Sequence, residues 1–220
     1  MILRGKIVTK HNIPNSKGVG DIKEFLVAFT KAFAKESRNF FNYFEDLVYA
    51  YREKQLHSVT VPAIYKITNN IFTEIPFYRD KKENLGWIDY GVYYGNTLLL
   101  IELKHSYYGL NANRFRDSSI KEWETSLNQI KSLKNTDYLK NRPKDNIVKI
   151  ALNIVTVYTT SQNFDVDNLK EIRKKILKQT GEKNIFIASW KIHQDMMIEC
   201  EYEKSREYYP AVFVVAKVLN

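Results

Sequence analysis

The spacing of apolar residues along the first quarter of the chain predicts a long helical region. From Ile22 to Tyr51, apolar residues recur at steps of three and four, as on one face of an amphipathic helix. This spacing predicts one long helix or two abutting helices, with Asp21 as the N-cap. Before it, residues 1–9 alternate as in a short strand, and residues 11–20 resemble a loop.

The next part of the chain is rich in aromatic and β-branched residues. Residues 62–70 fit either a short helix with proline in its first turn or an irregular connection. Three strand-like segments follow, at 71–78, 87–94 and 97–104. Pro76 indicates an edge strand or a strand end in the first of them. Gly95 and Asn96 alone separate the other two, which predicts a two-residue hairpin turn.

The remaining pattern alternates between helices and strands. The predicted elements are a polar loop over 106–117, a helix over 118–135, a strand over 147–158, a basic helix capped by Asp165 or Asp167 and ending near 179, and strands over 185–190 and 211–219. This order indicates one α/β domain with a central mixed β-sheet flanked by helices. Its core would span about 21–158, and residues 159–220 would complete or extend the sheet.

Composition narrows the class of protein. The 220 residues are 44% hydrophobic and 27% charged, which suits a packed core and excludes a wholly disordered chain. No apolar run approaches the roughly 20 residues that span a bilayer, and no signal peptide is recognisable, so we expect a cytoplasmic protein without a membrane partner. One cysteine and four scattered histidines make structural zinc improbable. The net charge of +9 favours a polyanionic partner.

The predicted hairpin brings acidic residues together. Counting outward from the turn formed by Gly95 and Asn96 places Asp89 directly opposite Glu102. Because side chains alternate along a strand, Lys104 shares a face with Glu102. A slip of one residue in the register would move Glu102 to the other face.

Two facing carboxylates at the end of a buried strand create an electrostatic conflict. Residues 97–104 are apolar on both faces before the charges, as in a central strand, and burial and like charge both raise carboxyl pKa values. Mg²⁺ would resolve this conflict, since it prefers one or two carboxylates with waters and phosphate oxygens. The metal could polarise a phosphodiester, while Lys104 could orient the attacking water or offset charge on phosphorus. The alternative is a solvated strand end without chemistry.

These motifs resemble a known nuclease family. Trp87-Ile-Asp89 followed after twelve residues by Ile101-Glu-Leu-Lys104, with Thr73-Glu-Ile-Pro-Phe77 before them, is similar to the core of the PD-(D/E)XK nuclease superfamily. The order of helix, three strands, helix and strand over 21–158 is similar as well. Ile88 stands where the family name has proline.

The resemblance implies a restriction-endonuclease-like fold and a phosphodiesterase that depends on Mg²⁺, with Mn²⁺ as an alternative, and usually acts on DNA. Carried over by residue, Asp89 and Glu102 would be metal ligands together with the carbonyl of Leu103. Lys104 would be the catalytic lysine. Asp89 and Glu102 would thus be catalytic through the metal that they hold.

The resemblance also implies a further acidic ligand from the first helix. Glu45 is the first choice, because it flanks the apolar stripe of the helix. Glu36 falls closer to the centre of the stripe and Glu53 further away. Glu74 on the preceding strand is an alternative source.

Several other residues carry weaker expectations. The segment after Lys104 contains an aromatic and basic group expected to stack on bases and contact phosphates, with a plain polar loop as the alternative: Tyr107, Tyr108, Arg114 and Arg116. His105 points to the face opposite Lys104 and is expected to pack. The three tryptophans are expected in the core, although Trp87 could border the site, and the cluster at 173–178 resembles a solvated basic face.

The sequence therefore predicts a metal-dependent nuclease with nucleic acid as its partner. One alternative is a protein of similar fold that only binds nucleic acid. Another is a scaffolding subunit, which would expose an apolar patch, for example at 208–215. The choice between DNA and RNA, and whether the protein forms a homodimer, stay open.

Overall fold

A computed structural model describes residues 5–14, 19–78, 85–133, 146–162, 169–181, 183–203 and 205–219. Over these residues the chain has an α/β fold in which helices flank a large mixed sheet, as predicted. The helices are α1 (Val19–Phe44), α2 (Glu53–Tyr65), α3 (Asp117–Lys131) and α4 (Leu169–Thr180). The strands are β1 (Lys6–His11), β2 (Ile71–Tyr78), β3 (Leu85–Tyr94), β4 (Thr97–Gly109), β5 (Arg114–Phe115), β6 (Asn146–Thr159), β7 (Ile185–Lys191), β8 (Cys200–Tyr202) and β9 (Ser205–Leu219).

The strand order of the main sheet is β1-β7-β9-β6-β4-β3-β2. All neighbours are antiparallel except β4 and β6, which are parallel. The short strands β5 and β8 pair with β4 and β9. β2 lies at the edge, as Pro76 predicts. Apolar residues of α1 and α2 cover one face of the sheet, and those of α3 and α4 cover the other. None of the described helices is both long and apolar enough to span a bilayer.

The helical region at 22–51 consists of one helix and a buried turn. α1 begins at Val19, so Asp21 lies inside its first turn and the predicted N-cap is wrong. The Asp21 carboxylate instead accepts a hydrogen bond of 2.8 Å from the Thr97 hydroxyl, beside the hairpin turn. α1 stops at Phe44 because Glu45 adopts a left-handed φ of 53°.

α2 was not separated from α1 by the apolar pattern. It begins at Glu53, and Pro62 lies near its end rather than in its first turn. Between the two helices, residues 47–50 are buried against the sheet, so the apolar pattern continues where the helix does not. The capping residues predicted for the basic helix, Asp165 and Asp167, lie outside the described residues.

β4 is longer than predicted. Residues 106–109 continue the strand, although their polar and aromatic composition suggested a loop. Ser106 is fully buried, and the Tyr107 N–H donates to the Ser119 hydroxyl at 3.0 Å. The bond to Ser119 satisfies the Tyr107 N–H inside the fold.

Burial of three segments differs from expectation. Trp87 is 54% exposed, because it lies on β3 next to the edge strand β2. Residues 208–215 are buried, because β9 lies in the interior of the sheet, so they offer no apolar patch. Arg173 is buried under α4 instead of facing solvent. Trp123 and Trp190 are in the core as predicted.

His105 packs in the core, as predicted from its position in the strand. It is 4% exposed, and its Nε2 lies 2.8 Å from the Thr156 hydroxyl. Burial lowers the pKa of the His105 imidazole to about 4, so the ring is neutral at physiological pH.

The left-handed backbone of Gly95 predicts that a side chain in the hairpin turn lowers stability. Gly95→Ala is expected to lower the free energy of unfolding by about 1–3 kcal/mol. Gly95 has a left-handed φ of 56°, and a new Cβ would lie 2.9 Å from the Asp21 carboxylate. Gly20→Ala in α1 is the matched control, since a Cβ there meets nothing within 4 Å. Urea denaturation measures both variants, and equal losses would contradict the proposed strain.

The buried histidine predicts a pH dependence of stability. The unfolded chain protonates His105 near pH 6.5 and the folded chain only near pH 4. The resulting stabilisation, on the order of 3 kcal/mol, is complete above pH 6.5 and is lost as the pH falls through 4. Urea denaturation at several pH values should therefore show a weaker acid dependence in His105→Gln. The exposed His11→Gln should keep the wild-type slope; a parallel loss of slope in both variants would refute the assignment.

Candidate active site

The β3/β4 hairpin has the register that its turn predicts. The ladder runs from Tyr94 opposite Thr97 to Tyr90 opposite Ile101. The next pair in this register would be Asp89 opposite Glu102, but the backbone pairing of β3 and β4 ends before it. The predicted acidic pair therefore lies where β3 and β4 begin to separate.

Asp89 itself occupies the point of separation. Its carboxylate Oδ2 accepts a hydrogen bond of 2.6 Å from the backbone N–H of Leu103 on β4. On either side of it, Ile88 and Tyr90 pack on opposite faces of the sheet, so the regular alternation of β3 is broken here. On the neighbouring β2, Glu74 has a left-handed φ of 52°. The Asp89 carboxylate thus accepts the Leu103 N–H in place of the backbone carbonyl of a regular ladder.

The same bond sets the orientation of the Leu103 backbone. In a strand, the N–H and C=O of one residue point to the same edge. Because the Leu103 N–H points to Asp89, its carbonyl lies on the edge of β4 that faces the gap. The carbonyl predicted as a metal ligand is therefore on the correct side of the strand.

Lys104 joins two carboxylates at this gap. Its Nζ lies 3.2 Å from Oε1 of Glu102 and 3.2 Å from Oε1 of Glu53. The Glu102 side chain is only 4% exposed. The ammonium thereby contacts Glu53, the first residue of α2. The structure brings Asp89, Glu102 and Lys104 together.

Burial and mutual repulsion perturb the acids of the gap. Burial, followed by the charge of Asp89, raises the pKa of Glu102 to about 7. Burial also raises the pKa of Asp89, although the Leu103 N–H and Lys104 oppose this shift. Burial alone would lower the pKa of Lys104, but Glu102, Glu53 and Asp89 outweigh it and raise the pKa. Lys104 therefore stays protonated.

The helix carboxylate that contacts Lys104 is Glu53 and not the predicted Glu45. Glu45 is exposed on the turn that ends α1, and no described contact joins it to Asp89, Glu102 or Lys104. The left-handed residue stops α1 there, so the first residue of α2 reaches the site instead. The Glu36 carboxylate accepts from Asn39 within α1. Glu53 could have been identified from the sequence only if the end of α1 at Phe44 had been known. The apolar periodicity continues past that residue and does not show where α1 ends.

Other polar side chains border the gap. The negative charge of Glu74 raises the pKa of Asp89, and a charge on His57 would lower it, so both lie near this carboxylate. His57 also bonds through Nδ1 to the Tyr90 hydroxyl. On α3, burial raises the pKa of Glu122, with Glu53 raising it further. Sequence reasoning considered Glu74 but missed His57 and Glu122.

The donor set can be compared with the needs of a metal ion. Within the described parts of the chain, no group of three or more His, Cys, Asp and Glu side chains converges as metal ligands. The gap offers a buried carboxylate, Glu102, a half-buried one, Asp89, and the carbonyl edge of Leu103. Together with Glu53, three carboxylates face the single charge of Lys104, so negative charge is in excess. This set fits Mg²⁺, which takes few carboxylates and keeps several waters.

The aromatic and basic segment after Lys104 is divided between core and surface. Tyr108 is fully buried and donates to Asn113, so it cannot stack on bases and that prediction is wrong. Arg114 is exposed and pairs with Asp117 at 3.6 Å. Arg116 lies over the Tyr107 ring, 4.5 Å from its centroid.

A cavity of about 420 Å³ lies beside the gap. Its walls include Tyr107 and Arg116, together with Arg52, the residue directly before Glu53. Tyr51 and Tyr202 also line it, and both rings are more than 40% exposed. The cavity therefore combines accessible aromatic rings with two arginines, and Glu207, which also lines it, pairs with Arg116 at 3.0 Å.

No match to this chain is found among protein-family models, curated proteins or solved structures. The chemistry of the gap is therefore interpreted from its own residues. These are Asp89, Glu102, Glu53, the carbonyl edge of Leu103 and a protonated Lys104.

Proposed function

We propose that this protein is a metal-dependent nuclease that hydrolyses phosphodiester bonds of nucleic acid, with DNA as the expected substrate. The observation that carries the proposal is the meeting of Asp89, Glu102 and Lys104 at the gap between β3 and β4. It agrees with the resemblance of these residues to the PD-(D/E)XK motif. The excess of negative charge at the gap supports a cation as its cofactor.

The residues that would hold the ion are Asp89, Glu102 and the carbonyl of Leu103. When bound, Mg²⁺ or Mn²⁺ supplies a Lewis acid that polarises the phosphodiester and lowers the pKa of a coordinated water. The Leu103 N–H fixes the Asp89 carboxylate at 2.6 Å, so one ligand is oriented before any ion arrives.

Lys104 acts as a hydrogen-bond donor in this proposal. Because its pKa is raised, the ammonium keeps its proton and cannot serve as a general base near neutral pH. It can orient the attacking water through Nζ–H, or stabilise the negative charge that develops on the phosphoryl oxygens. Glu53 is a positioning residue, since its carboxylate holds Nζ at 3.2 Å.

The cavity beside the gap would bind the nucleic acid. Stacking on exposed aromatic rings is sequence-tolerant, and Tyr51 and Tyr202 offer such rings. Arg52 and Arg116 could contact phosphates, and the net charge of +9 favours a polyanion. Arg52 links this surface directly to Glu53 and thereby to Lys104.

The proposal predicts metal-dependent cleavage that requires the gap residues. Asp89→Asn and Lys104→Met should each reduce cleavage of single- and double-stranded DNA by at least about 100-fold in the presence of Mg²⁺ or Mn²⁺. Lys35→Met, which removes an exposed charge on α1, is the control and should cleave like the wild type. Gel assays with purified proteins of equal thermal stability measure this.

Two results would contradict the nuclease assignment. Undiminished cleavage by Asp89→Asn or Lys104→Met would exclude the proposed roles. Salt-sensitive DNA or RNA binding without cleavage in any divalent metal would favour a protein that only binds nucleic acid.

A second prediction concerns the helix carboxylate. Glu53→Gln should lower cleavage by roughly 10- to 100-fold, because Lys104 loses a partner that holds its ammonium in place. Glu45→Gln makes the same change in charge on the exposed turn and should leave the rate unchanged. Loss of a carboxylate should also lower the pKa of Lys104, so the alkaline limb of the pH–rate profile should move to lower pH in Glu53→Gln alone. An effect of Glu45→Gln equal to that of Glu53→Gln would reject the assignment.

A further inference from the structure

A second cavity lies far from the acidic gap, between β1, β7 and the first turn of α4. Its volume is about 460 Å³, within the range of sites for small molecules. β1 is four strands away from β4 in the sheet, which corresponds to roughly 19 Å. The cavity is therefore separate from the proposed catalytic residues.

The residues that line this cavity are strongly cationic. Among the described residues that line it, five of eight carry a positive charge and none is acidic: Lys6, Lys10, Lys170, Arg173 and Lys191. Lys6 and Lys10 share one face of β1, and Lys6 lies opposite Lys191 on β7. Like charges directly opposite each other destabilise a sheet.

Arg173 distinguishes this cavity from an ordinary basic surface. It is 5% exposed, and its guanidinium donates to the Ser189 hydroxyl at 2.8 Å and to the Val8 carbonyl at 3.5 Å. Its Nε has no hydrogen-bond partner, and no carboxylate of the described residues forms an ion pair with it. Burial of a charge without a counter-charge is costly.

Protection of a sheet edge explains only part of this arrangement. Lysines on an edge strand such as β1 commonly prevent pairing with another chain. That role needs exposed lysines, and it does not need a buried arginine that faces a cavity. Arg173 therefore indicates that an anion completes the site.

We propose that this cavity binds the phosphate groups of a ligand. Phosphate oxygens would accept hydrogen bonds from Arg173, whose planar guanidinium suits bidentate phosphate contacts, and from the surrounding lysines. Several cations around a cavity of nucleotide size favour a ligand with more than one phosphate.

Two sources could supply these phosphates: a free compound that carries linked phosphates, or the backbone of a nucleic acid. The shared chemistry is the phosphate group. The proposal is independent of the nuclease assignment, because it uses none of the gap residues. Its test accordingly needs no cleavage and no divalent metal.

The experiment measures binding of inorganic pyrophosphate to the full chain by calorimetry, in EDTA and at fixed ionic strength. A phosphorothioate oligonucleotide is then added as a competitor. The double variant Lys6→Gln/Lys10→Gln should weaken pyrophosphate binding by about 10-fold or more. Lys175→Gln/Lys178→Gln is the matched control, since it removes the same charge from exposed positions of α4 and should change the affinity by less than about 2-fold.

The outcomes separate the two sources and can overturn the proposal. Pyrophosphate binding that needs Lys6 and Lys10 and resists the oligonucleotide supports a free phosphate compound. Competition by the oligonucleotide, or oligonucleotide binding alone with the same dependence, supports a nucleic-acid backbone. Absence of binding by both ligands, or equal weakening in the control, overturns the proposal. These variants leave the buried Arg173 in place, so a failure to fold does not obscure the result.

Discussion

The hydrogen bond from the Leu103 N–H to the Asp89 carboxylate determines how the candidate site is built. Up to Tyr90 and Ile101, β3 and β4 pair as an ordinary hairpin. At the next position a side chain takes over from the backbone, and the two strands separate. Glu102 and Lys104 follow directly on β4, so the charged residues of the site lie where the regular pairing of the hairpin ends.

The charged side chains at this gap lower the stability of the folded protein. Two acids with raised pKa values lie beside each other, and one ammonium faces three carboxylates. Buried charges of one sign cost free energy unless a partner offsets them. Such costs are typical of sites that bind a charged ligand, because the ligand supplies the missing charge. The same reasoning applies to Arg173, where the missing charge is negative.

The parts of the site that follow from local rules were predictable from the sequence. The turn at Gly95 and Asn96 determines the register, and alternation then places Glu102 and Lys104 on one face. Glu53 was not predictable, because its position depends on a left-handed φ at Glu45 that ends α1 while the apolar pattern continues. The burial of Tyr108 and Arg173 depends on neighbours that are distant in the sequence.

The distribution of charge across the sheet links the two sites. On average the chain is basic, yet its most buried carboxylate, Glu102, lies on β4, and its buried Arg173 packs against β7. A uniform basic surface would attract a polyanion without orienting it. The cation site proposed at β3 and β4 and the phosphate site proposed at β1 and β7 would bind ligands of opposite charge. Binding at one can therefore be altered by substitution without direct effect on the other, since the two share no residue.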